Sequence, residues 1–243
     1  MGSNPLFVHA QGRVHKTKEW HDIVKEKHLI NKKPSDKISF LTFIKGDIDF
    51  CLPKQLEQSN ITYLNAVNND SDEVWVNKNK IKYISESIQK IKTEYVVCLD
   101  AIDVLCSEDL SDLIDRFKKF DADILYNASR INYPAFLKLE NKAWVQIEKE
   151  YYIDDTTSPY RFLNAGAFIG KTKSVKRFYD YLLNEIDKGY YKSNDKSEQF
   201  RVRFGRKNYD QKEKIKIDTD CIIFQTLNLS EFYYKDELLI VKE

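Results

Sequence analysis

The chain has 243 residues, with 39 lysines and arginines against 38 aspartates and glutamates for a net charge of +1, which gives no electrostatic case for a nucleic-acid partner or an anionic membrane. Hydrophobic residues at 42% and aromatics at 13% are enough for a sizeable core and exclude global disorder. The longest apolar runs fall far short of a membrane span, and no apolar segment of the signal-peptide kind follows Met1.

From the start, Pro5-Leu6-Phe7-Val8-His9-Ala10-Gln11-Gly12 reads as a short strand running into a glycine-containing turn. Thr17 to Leu29 has a helical pattern with Trp20, Ile23, Val24 and Leu29 apolar. The polar run from Asn31 to Asp36 is the clearest internal break. Ile38 to Ile44 follows as a strand closed by Gly46-Asp47, then a short helix after Pro53 and a second strand at Ile61 to Leu64. Ile81, Ile84, Ile88 and Ile91 recur at spacings of three and four, the pattern of an amphipathic helix. That helix leads into Tyr95-Val96-Val97-Cys98-Leu99, an apolar run that ends in Asp100 and Asp103. Ser107 is placed to cap a helix carrying Leu110, Leu113, Ile114 and Phe117.

Asp123 to Asn127 is another strand, and Arg130 to Arg161 is irregular and aromatic-rich, the kind of long loop that carries function. Asn164-Ala165-Gly166-Ala167-Phe168-Ile169-Gly170 is a glycine-bracketed strand, followed by a helix with Val175, Phe178, Tyr179, Leu182, Leu183 and Ile186 on one face. The tail adds a helix around Gln199 to Phe204 and two short strands, Cys221 to Phe224 and Leu238 to Val241. Strands alternating with helices predict an α/β fold with a mostly parallel sheet flanked by helices. One domain over residues 1–243 is the simpler reading.

The chemistry is sought at Asp100 and Asp103. An apolar run of this kind is a strand buried on both faces, and carboxylates at its C-terminal end face the crevice where open α/β sheets bind ligands. Two hard oxygen donors with no neighbouring lysine or arginine in the sequence to pair them suggest a divalent cation; a strand end with solvated aspartates is the alternative. The histidines, His9, His15, His21 and His28, all lie in the first 28 residues, so any imidazole at the site must come from the N-terminal segment. Cys51, Cys98, Cys106 and Cys221 form no CxxC pair, which argues against zinc or a disulfide framework and is the cysteine usage of a reducing compartment. The dinucleotide, P-loop, nucleophile-elbow and zincin motifs are absent.

Four pieces taken in order resemble a known family. They are Asp100-Ala101-Ile102-Asp103-Val104, then Asn164 to Gly170, then Glu198-Gln199, then Ile217-Asp218-Thr219-Asp220-Cys221-Ile222-Ile223-Phe224-Gln225-Thr226-Leu227-Asn228. Together they are similar to the glycosyltransferase domain of the procollagen lysyl hydroxylase/glycosyltransferases, whose pattern runs D-x-x-D-V, N-S-G-G-F-I-G, D-Q and L-D-x-x-x-x-I-F-Q-x-L-N. The resemblance implies a GT-A, Rossmann-like fold, a UDP-sugar donor and Mn²⁺ (or Mg²⁺). In that family the domain ends on P-I-V-V-H-G-N-G, whereas this chain ends on Leu238-Leu239-Ile240-Val241-Lys242-Glu243 and carries the similar Pro5 to Gly12 at its start. Residues 1–30 are therefore expected to supply the piece normally found at the C-terminal end, by circular permutation or by excision from a tandem array.

The resemblance places His9, Asp100 and Asp103 at the metal, with Asp100 at the metal or at the ribose hydroxyls. It places Leu41, Thr42, Phe43 and Ile102 at the nucleotide, and Lys80, Gln11 and Gly12 near the diphosphate. Asn164 and Gly166 fall on the sugar side, Glu198 at the transferred sugar or acceptor hydroxyl beside Gln199, and Tyr133 at an acceptor platform. Two departures stand out. Ile102 replaces a tyrosine that stacks on uracil, and Asn127-Ala128-Ser129 replaces S-A-E, removing a carboxylate from the acceptor side.

The expected activity moves a hexose or N-acetylhexosamine to a hydroxyl acceptor on a glycan or on a protein site of the hydroxylysine type. No nucleic-acid partner or membrane span is expected, and a homodimer is allowed for. The rivals are a non-catalytic nucleotide-sugar or glycan-binding module and a metal-dependent nucleotide-sugar hydrolase.

Overall fold

The computed structural model describes residues 4–11, 14–16, 18–26, 30–46, 51–67, 77–107, 109–130, 158–188, 198–227, 232–235 and 238–241. Among these, no helix is long and apolar enough to cross a membrane.

The main sheet is built around β4 (Tyr95–Leu99), as its sequence predicts. Tyr95, Val97 and Leu99 pack into one apolar cluster, Val96 and Cys98 into another, so both faces of the strand are buried. On one side β4 pairs in parallel with β2 (Ile38–Thr42), which pairs in parallel with β3 (Tyr63–Asn65). On the other side lies β7 (Phe162–Lys171), antiparallel to β4 and to β6 (Ile124–Ser129). A short strand, β8 (Ile215–Ile217), extends the sheet in parallel with β6. The order β3-β2-β4-β7-β6-β8 is thus mostly parallel, with β7 as the reversed strand. Helices α2 (Cys51–Gln58), α3 (Lys80–Ile88) and α5 (Thr172–Asp187) flank it, with Leu52 and Leu56 on one face and Ile84, Val175, Phe178 and Tyr179 on the other. This is the α/β, GT-A-type, Rossmann-like architecture expected.

A second, three-stranded sheet positions the N-terminal segment. Its centre is β1 (Phe7–Ala10), antiparallel to β5 (Val104–Cys106) and parallel to β9 (Phe224–Leu227). Because side chains alternate along a strand, Val8 and Ala10 bury against Val14 and Trp20. Phe7 instead joins the main core, its ring stacked on Phe224 at 5.6 Å. His9 therefore leaves the strand on the Phe7 face, one step further along. Trp20 lies on α1 (Lys18–Glu26).

Several boundaries differ from the sequence reading. The strand from Ile38 stops at Thr42, because Ile44 turns aside to exchange two hydrogen bonds with the Asn65 amide, at 2.9 and 3.0 Å. At Gly46 the chain has φ +79°, a conformation that favours glycine. Ser107 caps no helix: its N–H and hydroxyl go to the carbonyls of Leu6 and Pro5, and α4 begins only at Leu113 (Leu113–Lys118). The β5–β1 pairing keeps this stretch extended. Nor does a strand begin at Cys221. Buried Asp218 accepts the N–H groups of Ile222, Ile223 and Phe224 at 2.9, 2.7 and 2.8 Å, so those amides close a turn, with Cys221 at φ +52°. The ladder starts at Phe224 instead. A hairpin of β10 (Phe232–Lys235) and β11 (Leu238–Val241) follows.

Candidate metal and donor site

Beyond Leu99 the chain turns through Asp100 to Asp103 before entering β5, and its neighbours hold that turn on both sides. The Asp100 N–H donates to the Gly166 carbonyl on β7 at 2.8 Å, while the Asp103 carbonyl accepts the Ala10 N–H from β1 at 2.7 Å. Both aspartates are thereby brought to buried His9, whose Nε2 lies 3.4 Å from Asp103 Oδ2. One donor atom from each of His9, Asp100 and Asp103 falls within 4.8 Å of the others.

Gly166 makes room for them. A Cβ there would stand 2.6 Å from His9 Cε1, 2.9 Å from Nε2 and 3.0 Å from Asp100 Oδ2. An imidazole and two carboxylates converging over a glycine suit a small divalent cation of the Mn²⁺ or Mg²⁺ type.

No lysine or arginine neighbours the aspartates along the sequence, but the fold brings Lys80, expected near the diphosphate, onto Asp100. Lys80, the first residue of α3, is buried, with Nζ ion-paired to Asp100 Oδ1 and 3.2 Å from Glu198 Oε2. It also sits 5.0 Å from the centre of the Phe43 ring. Glu198 opens α6 (Glu198–Asn208) and is buried, with no hydrogen-bond partner for Oε1 among the described residues.

Asp100 and Glu198 share one ammonium, that of Lys80, with Asp103 and His9 beside them. Burial works against the Lys80 ammonium, but Asp100 and Glu198 outweigh it and hold the lysine above its ordinary range. Burial pushes Glu198 up to about 7, against the pull of Lys80. Asp100 is likewise raised by burial, opposed mainly by Lys80. For His9, burial opposes protonation, yet Asp103 and then Asp100 raise its pKa above the usual imidazole value.

The remaining expected residues are placed as follows. Asn164 Oδ1 accepts the Gly166 N–H at 2.8 Å, and Gln199 Oε1 accepts the Ala165 N–H at 3.3 Å. Both amides brace the β7 backbone beside the aspartates. Thr42 donates its hydroxyl to the Leu99 carbonyl at 2.9 Å, and Leu41 is buried in the core under α3. The Gln11 side-chain oxygen accepts the Ser129 hydroxyl at 2.9 Å. Ile102 is 42% exposed at the outside of the turn. Gly12 and Tyr133 lie outside the described residues. Asn127 was not among the expected site residues, yet its Nδ2 lies 3.5 Å from His9 Nδ1. Its signal in the sequence is a polar residue alternating with apolar ones inside a buried strand.

A protein-family model described as the PLOD GT domain matches residues 65–237, well over half of the chain. The chain belongs to this family. It is a PLOD glycosyltransferase domain, and the matched stretch contains Lys80, Asp100, Asp103, Asn164, Gly166, Glu198 and Gln199. His9, Gln11, Leu41, Thr42 and Phe43 lie before it. No match was found among curated proteins.

Proposed function

We propose that this PLOD glycosyltransferase domain is metal-dependent and moves a hexose or N-acetylhexosamine from a nucleotide sugar, UDP-linked, to a hydroxyl acceptor on a glycan or a hydroxylysine-type protein site. The observation that carries this reading is the convergence of His9, Asp100 and Asp103 at the end of β4, the edge where α/β sheets take their ligands. His9, Asp100 and Asp103 would hold the cation, which when bound supplies charge neutralisation for a departing diphosphate.

The chain's own residues do the rest. Lys80 presents an ammonium held charged by its two carboxylates, ready to face phosphate oxygens. Gly166, lacking a Cβ, lets His9 and Asp100 lie against the β7 backbone. Glu198, with one buried oxygen unpartnered among the described residues, can accept a proton or hydrogen bond from a sugar or acceptor hydroxyl. Ile102, exposed at the turn, gives the nucleotide base an aliphatic contact rather than an aromatic one. On the same reading, β1, which carries His9, is the counterpart of the piece that the family carries at the far end of the domain.

A panel of UDP-sugars incubated with Mn²⁺ tests this. UDP release from at least one donor, abolished by EDTA and by Asp103→Ala, is the expected result. Tight nucleotide binding without release from any donor would instead establish a binding module. A sugar phosphate product would establish a hydrolase.

A further inference from the structure

Along β6 the buried residues alternate, with Ala128 packed into the apolar core and Asn127 and Ser129, both fully buried, on the opposite face. Across from them are His9 and Gln11, which share a side of β1 and its turn for the same reason. Two polar rungs result. Ser129 donates to Gln11 at 2.9 Å, and Asn127 Nδ2 lies 3.5 Å from His9 Nδ1. The β6–β7 register is irregular between Tyr126 and Asn127, at the point where the polar rungs begin.

The Asn127 rung is chemically incomplete. Its Oδ1 is buried with no partner among the described residues, and a stranded buried oxygen costs free energy. With Nδ2 facing the ring, Nδ1 must be an unprotonated acceptor and the imidazole proton must sit on Nε2. But Nε2 is the nitrogen that faces Asp103 Oδ2 and the space over Gly166, and a protonated nitrogen cannot ligate a metal. A half-turn of the amide resolves both faults, because Oδ1 then meets Nδ1, which carries the proton. A neutral imidazole ligates through one nitrogen, selected by the hydrogen bond that the other makes.

We infer that Asn127 is a positioning residue whose side-chain oxygen holds the proton of His9 on Nδ1, leaving Nε2 to face the cation shared with Asp100 and Asp103. The inference rests on the metal reading of this site. Asp103 draws the proton towards Nε2, and Asn127 opposes it from the far side of the ring, so neither carboxylate can do this work.

The test begins without metal, at a pH high enough to keep the His9 ring neutral despite its raised pKa, on the full chain labelled with nitrogen-15 at histidine, the His9 signals being those lost in His9→Gln. A proton on Nδ1 in the wild type, lost in Asn127→Leu, is expected; a proton on Nε2 alone overturns the inference. Mn²⁺ titration without nucleotide then compares variants, with thermal melts to verify folding. Asn127→Leu should weaken binding by roughly ten- to a hundredfold, the usual effect of removing a ligand's hydrogen-bond partner, while Asn127→Asp, an acceptor only, should keep it. Unchanged binding in Asn127→Leu, or equal loss in both variants, overturns it. Should Asn127→Leu fail to fold, Asn127→Ala replaces it, and the wild-type proton measurement needs no variant. A wild type that binds no Mn²⁺ would defeat the metal reading, a result distinct from the position of the proton.

Discussion

At Gly166 a single methyl group decides whether the His9 ring can lie beside Asp100, since a Cβ would stand 2.6 Å from His9 Cε1. The ring belongs to buried β1 and cannot simply swing away. We expect Gly166→Ala to lower stability by about 1–3 kcal/mol, the usual range for overpacking, and to abolish Mn²⁺-dependent UDP release; thermal melts and a UDP assay check both. Glu198 makes a different prediction. Its folded-state pKa is raised by burial from 4.5 to about 7, so the fold binds this proton more tightly than the unfolded chain does. The resulting stability is full below the unfolded value and is lost as pH rises through the folded one. Across that window the unfolding free energy of the wild type should fall relative to Glu198→Gln by on the order of 1–3 kcal/mol. Urea unfolding at several pH values measures this, and parallel curves would refute it.

Among the elements, β1 matters most to the site and depends on a turn far along the chain. Asp218 gathers the amides of Ile222, Ile223 and Phe224, so β9 starts in register and β1 can lie along it from Phe7 to Ala10. Asp218→Ala leaves three N–H groups without their acceptor. A loss of about 2–4 kcal/mol follows, together with weaker Mn²⁺ binding as His9 loses its support, measurable by urea unfolding and metal titration. The elements that periodicity revealed were those with long apolar patterns of their own, β4, β7, α3 and α5. Shorter pieces were hidden because partners hold them: β5 exists through its pairing with β1, and β8 through its pairing with β6. Ser107 has the residue type of a helix cap but spends its hydroxyl on Pro5, a choice made by tertiary packing rather than local preference.

Over the whole molecule, the site draws on residues from His9 to Gln199, and its electrostatics emerge only when these converge. The two aspartates were legible in the sequence, as was the N-terminal origin of any imidazole beside them. The sequence left hidden that Lys80 would bridge Asp100 and Glu198, because that contact depends on how the start of α3 docks over β4. The Asn127 rung was equally unreadable, since a buried polar residue in a strand does not announce its partner. What unites these residues is the convergence of carboxylates on one imidazole, an arrangement that suits a divalent cation. The most direct measurement is therefore Mn²⁺ binding to the full chain, to His9→Ala and to Asp103→Ala, by calorimetry with no nucleotide present. We predict a single ion on the wild type and a loss of more than about a hundredfold in each variant, beyond the roughly ten- to hundredfold range expected when only a ligand's hydrogen-bond partner is removed. His9→Ala binding Mn²⁺ as tightly as the wild type would contradict the account.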